Sequence, residues 1–414
     1  MAQVATSSQV SSKAYLAVVV AALGYFVDIY DLILFSIVRV PSLRGIGVPQ
    51  NELLSTGVFL LNMQMAGMLI GGLVWGILGD KRGRLSVLFG SIFLYSIANI
   101  ANGMVSTVST YAILRFIAGV GLAGELGAGI TLVSEVLPKD IRGYGTTIVA
   151  SVGILGAVAA SLVGDAFSWR TAFFVGGGMG LALLVLRIGV AESGLFAQVR
   201  QQAVSRGDFL LLFRSRERAI RYLSVIIVAV PIWYVVAILM TFAPEQARAM
   251  GMTTLPTGSR AVMFCYIGLA MGDFASGVLS QVLKGRKRVV GVFLGITALG
   301  IALYFLIGHR SLIIFYTTCV GLGFGAGYWA VFVTMASEQF GTNIRATATT
   351  TAPNFVRGAV VPLTSLFQAL SGPLGVQGSA ILVGVLTVGC AFVALTGLAE
   401  TYGKDLDFIE SGAR

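Results

Sequence analysis

Apolar residues in this chain gather into long runs, and the polar residues fall between them. A helix needs about 20 apolar residues to cross the hydrocarbon core of a bilayer. Twelve runs meet that need, at 14–39, 55–79, 85–105, 108–134, 144–165, 170–190, 221–243, 259–283, 288–308, 311–336, 346–370 and 377–398. They predict an all-α membrane protein with 12 transmembrane helices. Lys13 precedes the first run, which is too long for the core of a signal peptide and has no small-residue cleavage site, so it is expected to be a spanning helix.

Composition agrees with the pattern. Hydrophobic residues make up 56% of the 414 and charged residues 11%, against roughly 25% charged in soluble domains. Glycine is abundant at 53 residues and proline scarce at 9, which suits helices that approach closely within a membrane. The net charge of +10 raises the question of nucleic acid. The placement of the basic residues answers it. With the N-terminus inside, twenty lie in cytoplasmic segments, and six (Arg39, Arg44, Arg170, Arg248, Arg260 and Arg310) lie outside. The asymmetry puts both termini in the cytoplasm of a multi-pass protein, expected in a bacterial inner membrane, and the charge marks topology rather than nucleic-acid binding. Cys265, Cys319 and Cys390 all fall inside apolar runs and read as packing residues, with no disulfide or metal spacing. His309 falls in an outer loop.

The chain also repeats itself. Glu135 and Arg142 follow the fourth run, and Glu338 and Arg345 follow the tenth, 203 residues later with the same spacing. Gly76 and Asp80 are echoed by Gly277 and Gln281, and Ala191-Glu192-Ser193 by Ala399-Glu400-Thr401. Three echoes in register imply duplication: two pseudo-symmetric six-helix bundles, 1–190 and 221–398, joined by a cytoplasmic linker at 191–220 and followed by a tail at 399–414. The linker stretch LFRSRERAIRY reads as an interfacial amphipathic helix.

Charges inside apolar runs are expensive, so each is a functional candidate. Asp28 and Asp31 share a face of the first helix. Asp31, and Arg115 on the fourth helix, both sit roughly 10 Å below the same surface at helical rise, so the two can pair across the first half. That pair would either couple to protons or only orient helices. Arg357 lies near the middle of the eleventh helix with Asn354 one turn earlier. A guanidinium beside an amide suits an anionic solute; the other reading is a structural partner for Asp273. Trp233, Tyr234, Tyr266, Tyr328 and Trp329, with Asn62, are candidate cavity residues. Gly76, Asp80, Lys81, Gly83, Arg84, Glu135, Arg142, Glu338 and Arg345 cluster at the cytoplasmic rim, where pairing across the halves would hold an inner gate shut; the two glycines allow close approach and a tight turn.

The loop Gly76-Ile-Leu-Gly-Asp-Lys-Arg-Gly-Arg84 resembles the signature between helices two and three of the major facilitator superfamily. Arg115-Phe-Ile-Ala-Gly-Val-Gly-Leu-Ala-Gly-Glu125-Leu-Gly127 is similar to the fourth helix of metabolite:proton symporters, and Glu400-Thr-Tyr-Gly-Lys to the end of sugar porters. Gln281, Ala191 and Ala399 depart from the pattern. The resemblance implies two halves built of nested repeats. It implies that Tyr30-Asp31 faces Arg115 in proton coupling, and that Glu125 is a second proton site or a cavity wall; the other reading of Glu125 is a structural bond within its half.

The expected function is secondary transport of a small organic solute by alternating access, read as proton-coupled symport of an organic anion. The alternative is an exporter or facilitator of a neutral or amphipathic solute such as a sugar or drug. The run Gly153-Ile-Leu-Gly156 lacks the proline of the antiporter signature. A receptor would be expected to carry a soluble output domain, and an enzyme a catalytic constellation; the sequence offers neither. Expected partners are the solute, protons and the lipid bilayer, with no cofactor, no metal and a monomeric state.

Overall fold

The computed structural model describes residues 12–82, 84–124, 142–192, 209–403 and 410. Among them every regular element is helical. In chain order these are α1 (Ser12–Gly45), α2 (Leu53–Arg82), α3 (Arg84–Asn102), α4 (Val108–Leu122), α5 (Arg142–Ala166), α6 (Trp169–Glu192), α7 (Arg216–Tyr234, continued by a π-helical segment Val235–Met240) and α8 (Ala243–Ala249). The second group continues with α9 (Gly258–Val282), α10 (Arg286–Ile307), α11 (Leu312–Ala326), α12 (Trp329–Glu338), α13 (Thr342–Gly358) and α14 (Val360–Thr396). Eight helical stretches are long and apolar enough to cross a membrane. One of them, Thr347–Thr396, is long enough for two spans, and three shorter apolar helices complete the predicted twelve among the described residues.

Local chemistry sets the helix starts. The Thr107, Thr257 and Ser311 hydroxyls accept the N–H of Thr110, Arg260 and Ile314 at the beginnings of α4, α9 and α11, the usual role of an N-cap hydroxyl. Glycine sets the closest approaches. A Cβ at Gly67 or Gly119 would overlap the backbone of the facing helix where α2 meets α4, and a Cβ at Gly268 or Gly323 would do so where α9 meets α11. The two sites are 201 and 204 residues apart in sequence, the spacing of the internal repeat.

Four expectations change. The tenth run is two helices, α11 and α12, broken at Gly327 and Tyr328, where Gly327 leaves the helical conformation (φ −79°, ψ 64°) and packs on the α9 backbone at Gly272 and Asp273. The stretch 212–222 is not an interfacial linker helix. It leads into α7, where Arg221 is drawn onto the Gln339 carbonyl (3.1 Å) and the Glu410 carboxylate (2.8 Å). The rest of the predicted linker, 193–208, lies outside the described residues. Cys390 is exposed on α14 rather than packed in a core, since its position falls on the outward face, while Cys265 and Cys319 are buried. Arg39, counted from sequence as an outer topology charge, is buried.

The first six helices meet the rest along α1 and α5 against α9, and along α2 against α13 and α14. Polar groups bridge these contacts. Thr364 donates to Asn62 Oδ1 (2.5 Å), and Asn62 Nδ2 donates to Ser365 (3.3 Å). At one end Arg39 of α1 donates to both carboxylate oxygens of Glu245 on α8, each at 2.7 Å.

Candidate functional site

Among the described residues, Arg115 and Arg357 are buried cations, one in each half. The first centre is built on α1, α2 and α4. Asp28, Asp31, Gln64 and Arg115 are all fully buried. Arg115 interacts electrostatically with Asp31, and its Nη2 donates to the Gln64 side-chain oxygen. The Gln64 amide is oriented by its own NH2, which donates to the Leu32 carbonyl of α1 at 3.2 Å. The guanidinium carbon stands 4.9 Å from the Phe35 ring and 5.8 Å from Phe173. Asp31 fits against α6 because Gly176 has no Cβ to occupy the space of the carboxylate. The arrangement can hold a cation in a dry site beside a carboxylate able to exchange a proton.

The second centre is Arg357 on α13, 1% exposed. Its guanidinium carbon lies 5.8 Å from the Trp233 ring and 5.9 Å from the Trp329 ring. Trp233 comes from α7 and Trp329 opens α12. Tyr25 of α1 and Tyr266 of α9 are close enough to feel its charge. Nε and Nη1 of Arg357 have no hydrogen-bond partner, and no ion pair within 4.0 Å involves Arg357 among the described residues. Asn354, one turn before, donates across the halves to the Ala123 carbonyl (3.4 Å) and leaves its side-chain oxygen unpartnered. The cluster therefore offers unmatched donors and an acceptor between two indoles, at the seam between α1 and the second half. Chemically the set is complementary to a planar anion: a carboxylate oxygen can accept from an unmatched N–H, and a ring can stack on the aromatic walls.

Other sequence candidates fall elsewhere. Tyr234 donates to the Ala380 carbonyl (2.7 Å) and Tyr328 to the Val228 carbonyl (2.9 Å), so both hydroxyls tie helices of the second half together. Asn62 bridges the halves. Asp273 accepts backbone N–H from α12 and is not paired with Arg357. In this conformation Glu338 keeps to its own half. It pairs with Arg286 (3.4 Å) and accepts from Thr401 (2.7 Å), both within its own half, because the turn before α10 and the segment after α14 lie beside it. Arg345 donates to the Phe340 carbonyl at 3.2 Å. Glu125, Glu135 and Gly83 lie outside the described residues, as do the side chains of Asp80, Lys81, Arg84 and Arg142 and the surroundings of Gly76.

Sequence reasoning missed Gln64 and the Arg39–Glu245 pair. Gln64 carried a usable signal, as a polar side chain in the middle of an apolar run. Arg39 did not, because near a helix end a charge normally reaches water.

Comparison with known proteins places the chain among transporters. The sequence pattern of the Major Facilitator Superfamily matches residues 15–375. The 3-(3-hydroxy-phenyl)propionate transporter of Escherichia coli K12 is 27% identical over 82% of this chain and 81% of its own. The niacin transporter NiaP of Acinetobacter baylyi is 24% identical over 85% of this chain and 87% of its own. In three dimensions a D-xylose-proton symporter superposes with a TM-score of 0.69 at 20% identity, covering 95% of this chain and 100% of its own.

Proposed function

The chain belongs to the Major Facilitator Superfamily, a multi-pass membrane transporter of small molecules rather than an enzyme, and from that premise we propose that it is a proton-coupled symporter of an organic anion, in particular an aromatic monocarboxylate. The observation that carries the reading is Arg357: buried, with two unpartnered donors, between Trp233 and Trp329. A buried cation without a protein counter-ion is tolerated where a solute or water supplies one. The two relatives named for niacin and 3-(3-hydroxy-phenyl)propionate are named for aromatic acids, which supports the same class.

Asp31 is the proposed proton-coupling carboxylate and Arg115 its partner, with Asp28 and Glu125 next in line. Tyr266 and Asn354 line the solute site with the two indoles, while Tyr234 and Tyr328 serve packing. The functional units are the two halves, 1–190 and 221–398. The proposed setting is a bacterial inner membrane, with both termini cytoplasmic and a monomer sufficient for transport; the basic-residue asymmetry supports that orientation. It places the Arg39–Glu245 end outside.

A thermal-shift screen of purified protein against nicotinate, benzoate, 3-phenylpropionate, sugars and betaines tests the class, since a ligand of the folded state raises apparent stability. Aromatic carboxylates are expected to stabilise the protein. Arg357→Ala should weaken that effect by well over tenfold, because losing one member of a desolvated charge contact costs about 2–5 kcal/mol. Arg357→Lys should recover little, since a point charge does not reproduce the fork. Stabilisation by a sugar alone, unchanged in Arg357→Ala, would replace the anion reading with a neutral solute.

A further inference from the structure

The break between α11 and α12 creates a problem that a residue of another helix solves. A new helix start exposes amide N–H groups without intrahelical acceptors, and a membrane interior offers no water to take them. Tyr328, in the N-cap position of α12, provides no side-chain cap, and its hydroxyl is engaged with Val228. The acceptor comes from α9: Asp273 Oδ1 takes the Ala330 N–H at 2.8 Å, and the Trp329 amide is turned to the same carboxylate. Asp273 is 6% exposed. Packing delivers it there. A Cβ at Gly327 would stand 2.6 Å from the Asp273 backbone nitrogen, and Gly272 meets the Phe324 carbonyl without one. Only a glycine-to-glycine approach lets the carboxylate reach the first turn of α12. The first turn of α12 thus has its acceptor without an arginine at Asp273.

Trp329 is the first residue of α12, and its indole lies over Arg357. We propose that Asp273 is a positioning residue of the solute site: it caps α12 from the neighbouring helix and so fixes Trp329 against Arg357. The inference rests on the reading of Arg357 and Trp329 as solute contacts. It gives Asp273 a role distinct from a counter-ion to Arg357 and from a proton carrier, because what the site requires is an acceptor oxygen rather than a charge.

Asp273→Asn keeps an acceptor oxygen, and asparagine caps helices about as well as aspartate. Asp273→Leu keeps the bulk and removes the acceptor. Hydrogen–deuterium exchange over residues 327–333 of the full chain in detergent reads the cap without any solute. Asp273→Leu is expected to exchange about fivefold faster there, the effect of losing one cap, and Asp273→Asn to match the unmutated protein. In proteoliposomes with an imposed pH gradient, radiolabelled benzoate should show a raised half-saturation concentration and a nearly unchanged maximal rate in Asp273→Leu, the mark of lost solute positioning. Asn should rescue it. If Asp273→Asn is as damaged as Asp273→Leu, the charge matters and the inference falls. Unchanged exchange in Asp273→Leu overturns it equally. If Trp329→Ala and Arg357→Ala leave benzoate uptake intact, or benzoate is not carried at all, the solute reading fails instead, and exchange alone decides the cap.

Discussion

Arg115 faces two groups of different kinds, the Gln64 oxygen to which it donates and the Asp31 carboxylate whose charge it senses. Asp31 offers a charge that a proton can cancel, and Gln64 an amide oxygen that no proton cancels at working pH. When Asp31 takes a proton, the guanidinium keeps Gln64 and the faces of Phe35 and Phe173, so the buried cation is not left bare. On this reading Asp31→Asn imitates the protonated state permanently. It should abolish uphill accumulation on a pH gradient in proteoliposomes while exchange of solute down its own gradient continues. Persistent pH-driven accumulation in Asp31→Asn would move the role to Asp28 or Glu125. Asp31, Arg115 and Arg357 could be singled out from sequence because ionisable groups in an apolar run are costly and stand out, and Asn354 by its place one turn from Arg357. Tyr234 and Tyr328 show the limit of that method. An aromatic residue fits an apolar run facing any direction, and only packing reveals that both hydroxyls end on backbone carbonyls.

At the scale of elements, hydropathy located the spans but could not locate their interruptions. The run Gly321-Leu-Gly-Phe-Gly-Ala-Gly327 reads equally well as close helix packing or as a break, and it is both: Gly323 packs within α11, and Gly327 ends it. Glu400 illustrates the same gap in a loop. Sequence marked it as one copy of a repeated motif, whereas in the fold its carboxylate accepts the N–H of Arg286 (2.7 Å) and Lys287 (3.1 Å) at the start of α10, together with those of Thr401 and Tyr402. Partial burial works to raise its pKa, but the four backbone N–H groups outweigh this and hold the carboxyl below its ordinary 4.5. The stabilisation from a lowered carboxylate pKa is present above the ordinary value and lost as pH falls through the lowered one. Glu400→Gln should therefore lower thermal stability at pH 7 by about 0.5 kcal/mol, the low end for an exposed cap. The difference should shrink as melts are taken to pH values below the lowered pKa. A constant difference across that range would mean the carboxylate charge is not what holds α10.

At the scale of the whole molecule, transport requires the two halves to exchange contacts at one end for contacts at the other. In this conformation the proposed outer end is fastened. Arg39 donates to Glu245, to the Leu53 carbonyl (3.0 Å) and to the Thr241 carbonyl (3.3 Å), and its guanidinium carbon lies 4.5 Å from the Phe242 ring. Thr241 also donates to Ser36 across the same seam at 2.9 Å. Outward opening must separate this buried pair. Removing one member should favour opening, because the partner then stays uncompensated in the closed form, at about 3–5 kcal/mol for a buried pair. Replacing both with apolar residues should be far milder, since no buried charge is orphaned. A cysteine at Ser36, in a background lacking Cys265, Cys319 and Cys390, reports the opening through an impermeant maleimide. Labelling should accelerate more than tenfold in Arg39→Ala or Glu245→Ala, as a shift of a few kcal/mol between two states requires. The double variant Arg39→Met/Glu245→Leu should label more slowly than either single change, because the loss belongs to the pair. Additive acceleration in the double variant would show that the two residues act separately, and the closure of this end would then have to rest on Ser36, Thr241 and the packing of α1 and α5 against α9.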